Sequence, residues 1–440
     1  MKHHKHRILR SPWLIWGLGA AFFLAEYFIR VSPGVMTQDL MRAFSINAAE
    51  LGSVVVFFYV AYIGMQLPVG MLVDRYGPHR LLTVMALICG IGGVIFASAT
   101  TPYIAAVARF LMGFSAAFAF IGSLKLASVW FPPQRFGLMA GLTQGLGMIG
   151  AAIGEAPTAL LMTYLGWRNT IYIFAMIFFV LAILIGFLVR DYPTDYPLKK
   201  IKQSRESNIL SNLLTVLKNK HSWINAVFIG CFFASTACFG ELWGVSYISR
   251  VYDVSTTNAA SAVGLIFIGL AIGAPMFGWI SDRIQRRKPA IYVSATMTIV
   301  IFVTVLYATK MPFILVYLLM FLYGIFNGGF ALGYAIASEI NPHRIAGTSM
   351  AFANMASVII GAAFQPLVGK LLVWHWSGVY LHGTPFYSAA DYEAAVILLP
   401  IALVIALLAS FFLKETHCKP LDYAQRKGVA GKNLKHIPVS

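Results

Sequence analysis

The sequence predicts an all-α membrane protein, with twelve transmembrane helices arranged as two pseudo-symmetric six-helix bundles. Three observations carry this expectation. Of the 440 residues, 59% are hydrophobic and only 11% charged, where a soluble domain would carry about a quarter charged residues. Apolar runs of bilayer length, about 20 residues, recur along the whole chain. One polar punctuation also occurs twice, as "VGMLVDRYGPHR" at 69–80 and "FGWISDRIQRRK" at 277–288, so that Gly70 and Asp74 stand 208 residues before Gly278 and Asp282.

The runs cover 12–36, 50–73, 79–99, 102–130, 136–163, 167–190, 222–249, 257–280, 289–309, 312–339, 346–373 and 392–413. Their length and the lack of period-2 alternation argue helices rather than barrel strands. The basic opening "MKHHKHRILRSP" leads into the first run. No small-residue cleavage pattern follows that run, so it is read as a retained span and not a signal peptide. The "HHKH" within the opening is read as solvated tail in preference to a metal site. Cys89, Cys231, Cys238 and Cys418 are scattered without CxxC spacing, which argues against a disulfide framework or a zinc site. No cofactor is expected.

Orientation follows from lysine and arginine. With both ends cytoplasmic, most of the 33 basic residues fall in the two tails and the inner loops. Only Arg42, Arg168, Arg250, Lys310 and Lys370 fall outside, and Arg30, Arg109 and Lys125 lie within spans. That asymmetry predicts cytoplasmic termini. It also accounts for most of the net charge of +17 without nucleic acid, as attraction to an anionic leaflet. The expected location is a bacterial inner membrane.

The longest polar stretch between spans opens "DYPTDYPLKKIKQSRES" at Asp191. In "NILSNLLTVLKNK", Ile209, Leu210, Leu213, Leu214 and Leu217 share one helical face, the pattern of an amphipathic helix on the inner leaflet. This gives four regions: a six-helix bundle with a basic tail over 1–190, a linker over 191–221, a second bundle over 222–414 and a basic tail over 415–440. The bundles read as tandem repeats. Arg135 against Arg344 and Pro157 against Pro366 repeat at 209 residues.

In each copy of the polar motif, the Gly is placed to let another helix approach closely. The Asp can face the positive end of a neighbouring helix, and the Arg can pair with a carboxylate. Such contacts would close the cytoplasmic side. Gly70, Asp74, Arg75, Gly77, Arg80, Gly278, Asp282 and Arg283 are therefore candidate gating residues; one copy alone would equally fit a membrane-boundary marker.

"GMLVDRYGPHR" resembles the helix 2–3 signature of the major facilitator superfamily, and the second copy is a degenerate form of it. "RFLMG" at 109–113, "WFPPQRFGLMAGL" and "GWRNTIYIF" are similar to that family's helix 4, helix 4–5 and helix 6 motifs. The resemblance spans essentially the whole chain. It implies the major facilitator fold, one central cavity and rocker-switch alternating access. A narrower resemblance, through "EYFIRVSPGVMTQDLMRAF", "GSLKLASVWFP" and "GMIGAAIGEAP", is to the phagosomal nutrient transporters of intracellular bacteria, which import amino acids and nucleosides. The helix 1 Arg is similar in placement to that of the anion–cation symporters.

Ionisable groups inside spans are costly and so invite functional readings. Glu26 and Arg30, four apart, share a helix face. They fit either a structural ion pair or a site where Arg30, with Tyr27, holds a substrate carboxylate through its bidentate fork while Glu26 couples protons. Lys125 is a substrate candidate or a snorkelling residue. Arg109 fits a structural role as well as a binding one. Glu155, beside the helix-breaking Pro157, is a candidate for proton or substrate coupling, and Glu241, with Trp243 and Tyr247, for proton coupling or an outer gate. An interfacial aromatic belt serves Glu241's surroundings equally. Gln144, Asn327, Tyr334, Asn354 and Gln365 either join helices or line a cavity. The Gly-rich 141–154 is read as close helix packing, since it lacks the P-loop lysine.

No ATPase motif or catalytic constellation is found, so the chain is read as a transporter and not an enzyme. The leading reading is a proton-coupled importer, working as a monomer, of a small carboxylate-bearing solute: an amino acid, peptide, organic acid or carboxylate siderophore. The alternative is a multidrug or metabolite exporter by proton antiport, against which "GEAP" replaces the usual Gly-Pro pair and Arg30 would repel a cationic drug.

Overall fold

A computed structural model describes residues 11–66, 68–132, 135–193, 209–342, 345–381 and 384–419. The expected "HHKH" tail, Arg344 and most of the linker and C-terminal tail lie outside the described residues.

The N-terminal half contains α1 (Pro12–Val35), α2 (Thr37–Phe44), α3 (Ala48–Met65), α4 (Pro68–Tyr76), α5 (Pro78–Ser98), α6 (Pro102–Trp130) and α7 (Phe136–Leu188). The linker helix is α8 (Ile209–Lys218). The C-terminal half begins with α9 (Lys220–Ser235), which runs through a π-helical segment, Thr236–Trp243, into α10 (Gly244–Val251). It continues with α11 (Thr256–Ile284), α12 (Lys288–Tyr307) and α13 (Phe313–Asn327), a 3-10 turn at Gly328–Ala331, then α14 (Leu332–Glu339) and α15 (Ala346–His375). A two-stranded hairpin, β1 (Tyr380–Leu381) and β2 (Thr384–Pro385), leads to α16 (Ala389–Ala395) and α17 (Leu398–Phe412).

Local chemistry sets many of these boundaries. Proline sits at the first turn of α1, α5, α6 and α12, where its missing N–H costs nothing. Asn47 and Glu50 form a capping box on α3, and Ser388 with Asp391 forms another on α16, each satisfying orphan N–H groups.

Eleven helical stretches among the described residues are long and apolar enough to cross a bilayer. At 53 residues α7 would run about 80 Å if straight, against an apolar core of about 30 Å. Gly166, at φ 73° and ψ 164°, breaks it into two arms in a conformation that L side chains rarely adopt. Counted as two passes, α7 brings the total to the twelve expected. Large apolar side chains such as Met176, Phe187, Ile314 and Phe412 remain exposed on the outside, as a lipid-facing surface requires.

The halves meet chiefly through α3 against α15 and α7 against α11. One end of the assembly, the linker face, carries α4, α8 and the residues following α7 and α17. At the opposite, far face the halves are sealed. Thr37 Oγ1 lies 2.5 Å from Ser246 Oγ, and the Ala48 N–H donates to Tyr387 Oη at 3.1 Å. Two glycines allow backbone-to-backbone approach there: a Cβ at Gly52 would lie 2.8 Å from Pro366 Cα, and one at Gly369 would lie 2.5 Å from the Ala48 carbonyl oxygen. Within the Gly-rich 141–154, Gly147, Gly150 and Gly154 pack closely on α1, Gly150 against the Leu24 backbone, while Gly141 and Gly145 meet nothing within 4 Å.

Three features were not expected from sequence: the π segment inside the seventh span, the break in the tenth and the hairpin. The linker helix also packs on protein. Val216 is fully buried, and Leu213 and Leu217 pack with it against Ala226, Ile345 and Phe352, while Leu214 stays exposed.

Candidate functional site

The densest set of buried charge lies where α1, α3, α6, the π segment, α7 and α15 converge. On α1, Arg30 Nη2 and Nε donate to Glu26 Oε1 and Oε2 at 2.8 and 3.2 Å, a bidentate pair within one helix. Glu26 is fully buried and Arg30 is 5% exposed. The guanidinium lies 4.5 Å from the Tyr27 ring centroid, 4.8 Å from Tyr62 and 5.4 Å from Phe58, an aromatic cage that favours a cation. Arg30 Nη1 makes no hydrogen bond among the described residues, so one arm of the fork is free.

Arg109 on α6 has a different task. Pro33 lacks an N–H, so the Ile29 carbonyl of α1 loses its helical donor. Arg109 Nη1 takes that carbonyl, its Nη2 reaches the Arg30 carbonyl at 3.5 Å, and its guanidinium stacks 4.7 Å from Phe58. It braces the bend behind Arg30. The same logic recurs at Pro157, where Thr158 Oγ1 donates to the Ile153 carbonyl at 3.4 Å.

The C-terminal half contributes Glu241 from the π segment, a distortion frequent at functional sites. Glu241 is 2% exposed and accepts a hydrogen bond from Tyr59 of α3, across the two halves. It therefore sits in the interior and not in an interfacial aromatic belt. Gln365 Nε2 donates to the Ala237 carbonyl at 2.8 Å and reaches Tyr59 Oη at 3.4 Å, and Trp243 Nε1 donates to the Gln365 carbonyl at 2.9 Å. Glu155 of α7 is fully buried, and neither carboxyl oxygen has a hydrogen-bond partner. It packs beside Gly264 of α11, again between the halves.

The remaining candidates disperse. Asn327 is fully buried and joins α13 to the seventh span, accepting from Thr236 of the π segment at 2.9 Å and donating to the Phe232 carbonyl of α9 at 3.4 Å. Tyr334 donates to Asn354 at 3.0 Å, and Asn354 donates to Gln66 at 3.1 Å, a polar link between halves nearer the linker face. Gln144 is exposed. Lys125 does not join the central cluster; its Nζ lies 2.6 Å from Asp74 Oδ1, at the linker face.

At that face the repeated motif is only partly engaged. Nothing lies within 4 Å of a Cβ built at Gly70 or Gly278, so the close helix approach expected there is not made. Gly77, at φ 83°, turns the chain into α5. Arg75 and Arg283 lie over Tyr76 and Trp279, each 5.3 Å from the ring, and Arg80 is exposed. The expected Arg–carboxylate pairing is made by Arg287 instead: its Nη1 lies 2.6 Å from Asp282 Oδ1 and its Nη2 2.6 Å from Glu339 Oε1. Arg283, one turn away on α11, is aimed at the surface.

Sequence reasoning missed the groups that cap the neighbouring helices. Asp191 accepts from the His79 N–H at 2.7 Å at the start of α5. Glu415 accepts from the N–H groups of Arg287 and Lys288 at 2.9 and 3.0 Å at the start of α12. Burial pushes the Glu415 carboxyl up, but these backbone donors outweigh it and hold the group below the usual range. A signal was present: a basic–acidic pair, Arg190-Asp191 and Lys414-Glu415, follows both the sixth and the twelfth span.

A family model described as Major Facilitator Superfamily matches residues 18–364 and 231–439. The chain belongs to that superfamily. It is a multi-pass membrane transporter and not an enzyme. It is 23% identical over 292 residues to "Probable sulfoacetate transporter SauU" of Cupriavidus necator, covering 64% of this chain and 67% of that protein. It is 24% identical over 410 residues to "Probable hexose phosphate transport protein" of Chlamydia trachomatis, covering 86% and 88%. Among solved structures, a bacterial homolog of the human lysosomal transporter Spinster, inward-facing and occupied, matches with a TM-score of 0.72 at 14% identity, covering 91% of this chain and 96% of that one. This superfamily member thus shares the two-bundle architecture.

Proposed function

We propose that this superfamily transporter is a proton-coupled importer of a small carboxylate-bearing solute, working by rocker-switch alternating access with both termini cytoplasmic. The observation that carries this reading is the buried Arg30–Glu26 pair with its free Nη1, lying beside the contacts between the two halves. A guanidinium is the side chain suited to bidentate recognition of a carboxylate. Amino acids, peptides, organic acids and carboxylate siderophores all present that group. The named relatives, a sulfoacetate and a hexose phosphate protein, also carry anionic solutes in their names.

The coupling follows from competition. A substrate carboxylate that takes the Arg30 fork displaces Glu26. Left as an unpaired carboxylate in a buried site, Glu26 would cost several kcal/mol; taking up a proton removes that cost. Substrate anion and proton then load together, and net charge in the site is conserved. Glu155, buried without a donor, is a second proton station on the same reasoning. Glu241 holds the halves together through Tyr59 when the far face is shut.

The test is binding and radiolabelled uptake by purified protein in proteoliposomes, with and without a protonophore. Arg30→Ala should weaken binding of the carboxylate solute by about 2–5 kcal/mol, and Arg30→Lys should also weaken it, because charge without the fork is insufficient. Unchanged affinity in Arg30→Ala would reduce Arg30 to a structural partner of Glu26.

A further inference from the structure

Outside the far-face seal the halves leave a cleft of about 330 Å³, at the lower end of the range of small-molecule sites. Its N-terminal wall includes Thr37, Gln38 and Asp39, and its C-terminal wall includes Ser246, Ser249 and Arg250. The Thr37–Ser246 hydrogen bond ties the two walls together.

Two groups here are underused. Arg250 is half-buried, has no carboxylate within ion-pairing distance among the described residues, and rests only on the Phe386 ring, 4.5 Å away. Asp39 is half-buried and makes no ion pair or side-chain hydrogen bond among the described residues. Burial raises its carboxyl above the ordinary range, with Arg42 opposing. The Tyr392 hydroxyl lies near Ser246, Arg250 and Gln38, behind the same wall. Half-buried charges left unpaired are costly, and one ligand could satisfy both. A pure anion would meet Arg250 but also the Asp39 carboxylate. A pure cation would meet the reverse.

We propose that this cleft is a second solute site, separate from Arg30, that takes a small zwitterion of the α-amino-acid type. Its carboxylate sits on Arg250 and its ammonium on Asp39, so the ligand bridges the two halves. Because the bridge exists only when the halves are apposed at the far face, occupancy holds that face shut. The ligand stabilises the closed state only as far as it binds that state better than the open one.

The experiment uses the full chain in nanodiscs, with L-alanine, L-serine and L-leucine as probes and propionate and ethylamine as analogues lacking one charge. Binding is read by calorimetry in wild type, Arg30→Ala, Arg250→Gln, Arg250→Lys and Asp39→Asn. Far-face closure is read by the rate at which a Thr37→Cys, Ser246→Cys pair crosslinks. At least one amino acid should bind wild type and Arg30→Ala alike, about tenfold or more better than propionate or ethylamine. Arg250→Gln and Asp39→Asn should each weaken it about tenfold or more, Arg250→Lys should retain part of it, and the ligand should speed crosslinking. If no amino acid binds Arg30→Ala, or binding survives Arg250→Gln, the second site is overturned whether or not the Arg30 reading stands. Loss of binding in Arg30→Ala with Arg250→Gln unaffected would leave only the central site.

Discussion

Replacing Gly369 by alanine places a Cβ 2.5 Å from the Ala48 carbonyl oxygen, 3.0 Å from its carbonyl carbon and 3.1 Å from Ala49 Cα. Ordinary contact between carbons begins near 3.5 Å, so the overlap with the oxygen is roughly an ångström. All three atoms belong to the backbone of α3, which cannot swing aside as a side chain would. Relief requires α15 and α3 to separate at the far face. Overpacking of this kind costs about 1–3 kcal/mol. The contact joins the two halves, so the cost falls on the far-face-closed state and largely spares each bundle. At about 1.4 kcal/mol per factor of ten, the equilibrium should shift toward the far-face-open state by roughly 5- to 150-fold. The readout is labelling of a Thr37→Cys reporter by a membrane-impermeant maleimide, since Thr37 is 3% exposed in the closed state. Labelling should accelerate in Gly369→Ala and net transport should slow. Gly141→Ala, whose Cβ would meet nothing within 4 Å, should leave both unchanged. Unaltered labelling and transport in a well-folded Gly369→Ala protein would refute the idea that this contact seals the far face.

Glu26→Gln should abolish accumulation driven by a proton gradient while substrate counterflow persists, both measured in the same proteoliposomes. Glu155→Gln mimics the proton-bound form and should flatten the pH dependence of uptake, with substrate affinity retained. Asp74→Asn removes the Lys125 partner at an exposed pair worth at most about 1 kcal/mol in stability; it should slow transport with binding kept, and loss of binding would remove it from the gate. Glu415 is held below its ordinary range, so its stabilisation is present above the unfolded carboxyl range and is lost as pH falls through the lower, folded value. Glu415→Gln should therefore lower the melting temperature near neutral pH, with the gap to wild type closing in acid.

The sequence by itself determined the class of molecule and its tandem plan. Apolar runs of bilayer length leave no other home for so little charge, and a motif repeated at a constant offset can only be a repeated unit. It also marked Glu26 and Arg30 as one face of one helix, because i and i+4 are neighbours in any α-helix. What it could not decide is which buried groups meet across helices, since that depends on packing between segments hundreds of residues apart. Glu241 read equally as part of an outer aromatic belt until a π segment and Tyr59, 182 residues away in sequence, drew it inward. Lys125, in a span and cationic, carried the same signal as Arg30, yet the fold pairs it with Asp74 at the linker face. Asp191 and Glu415 stood in loops, where acidic residues are ordinary; only the tertiary fold aims them at the starts of α5 and α12. Local periodicity fixes which side of a helix a residue occupies, and three-dimensional packing alone fixes what stands opposite.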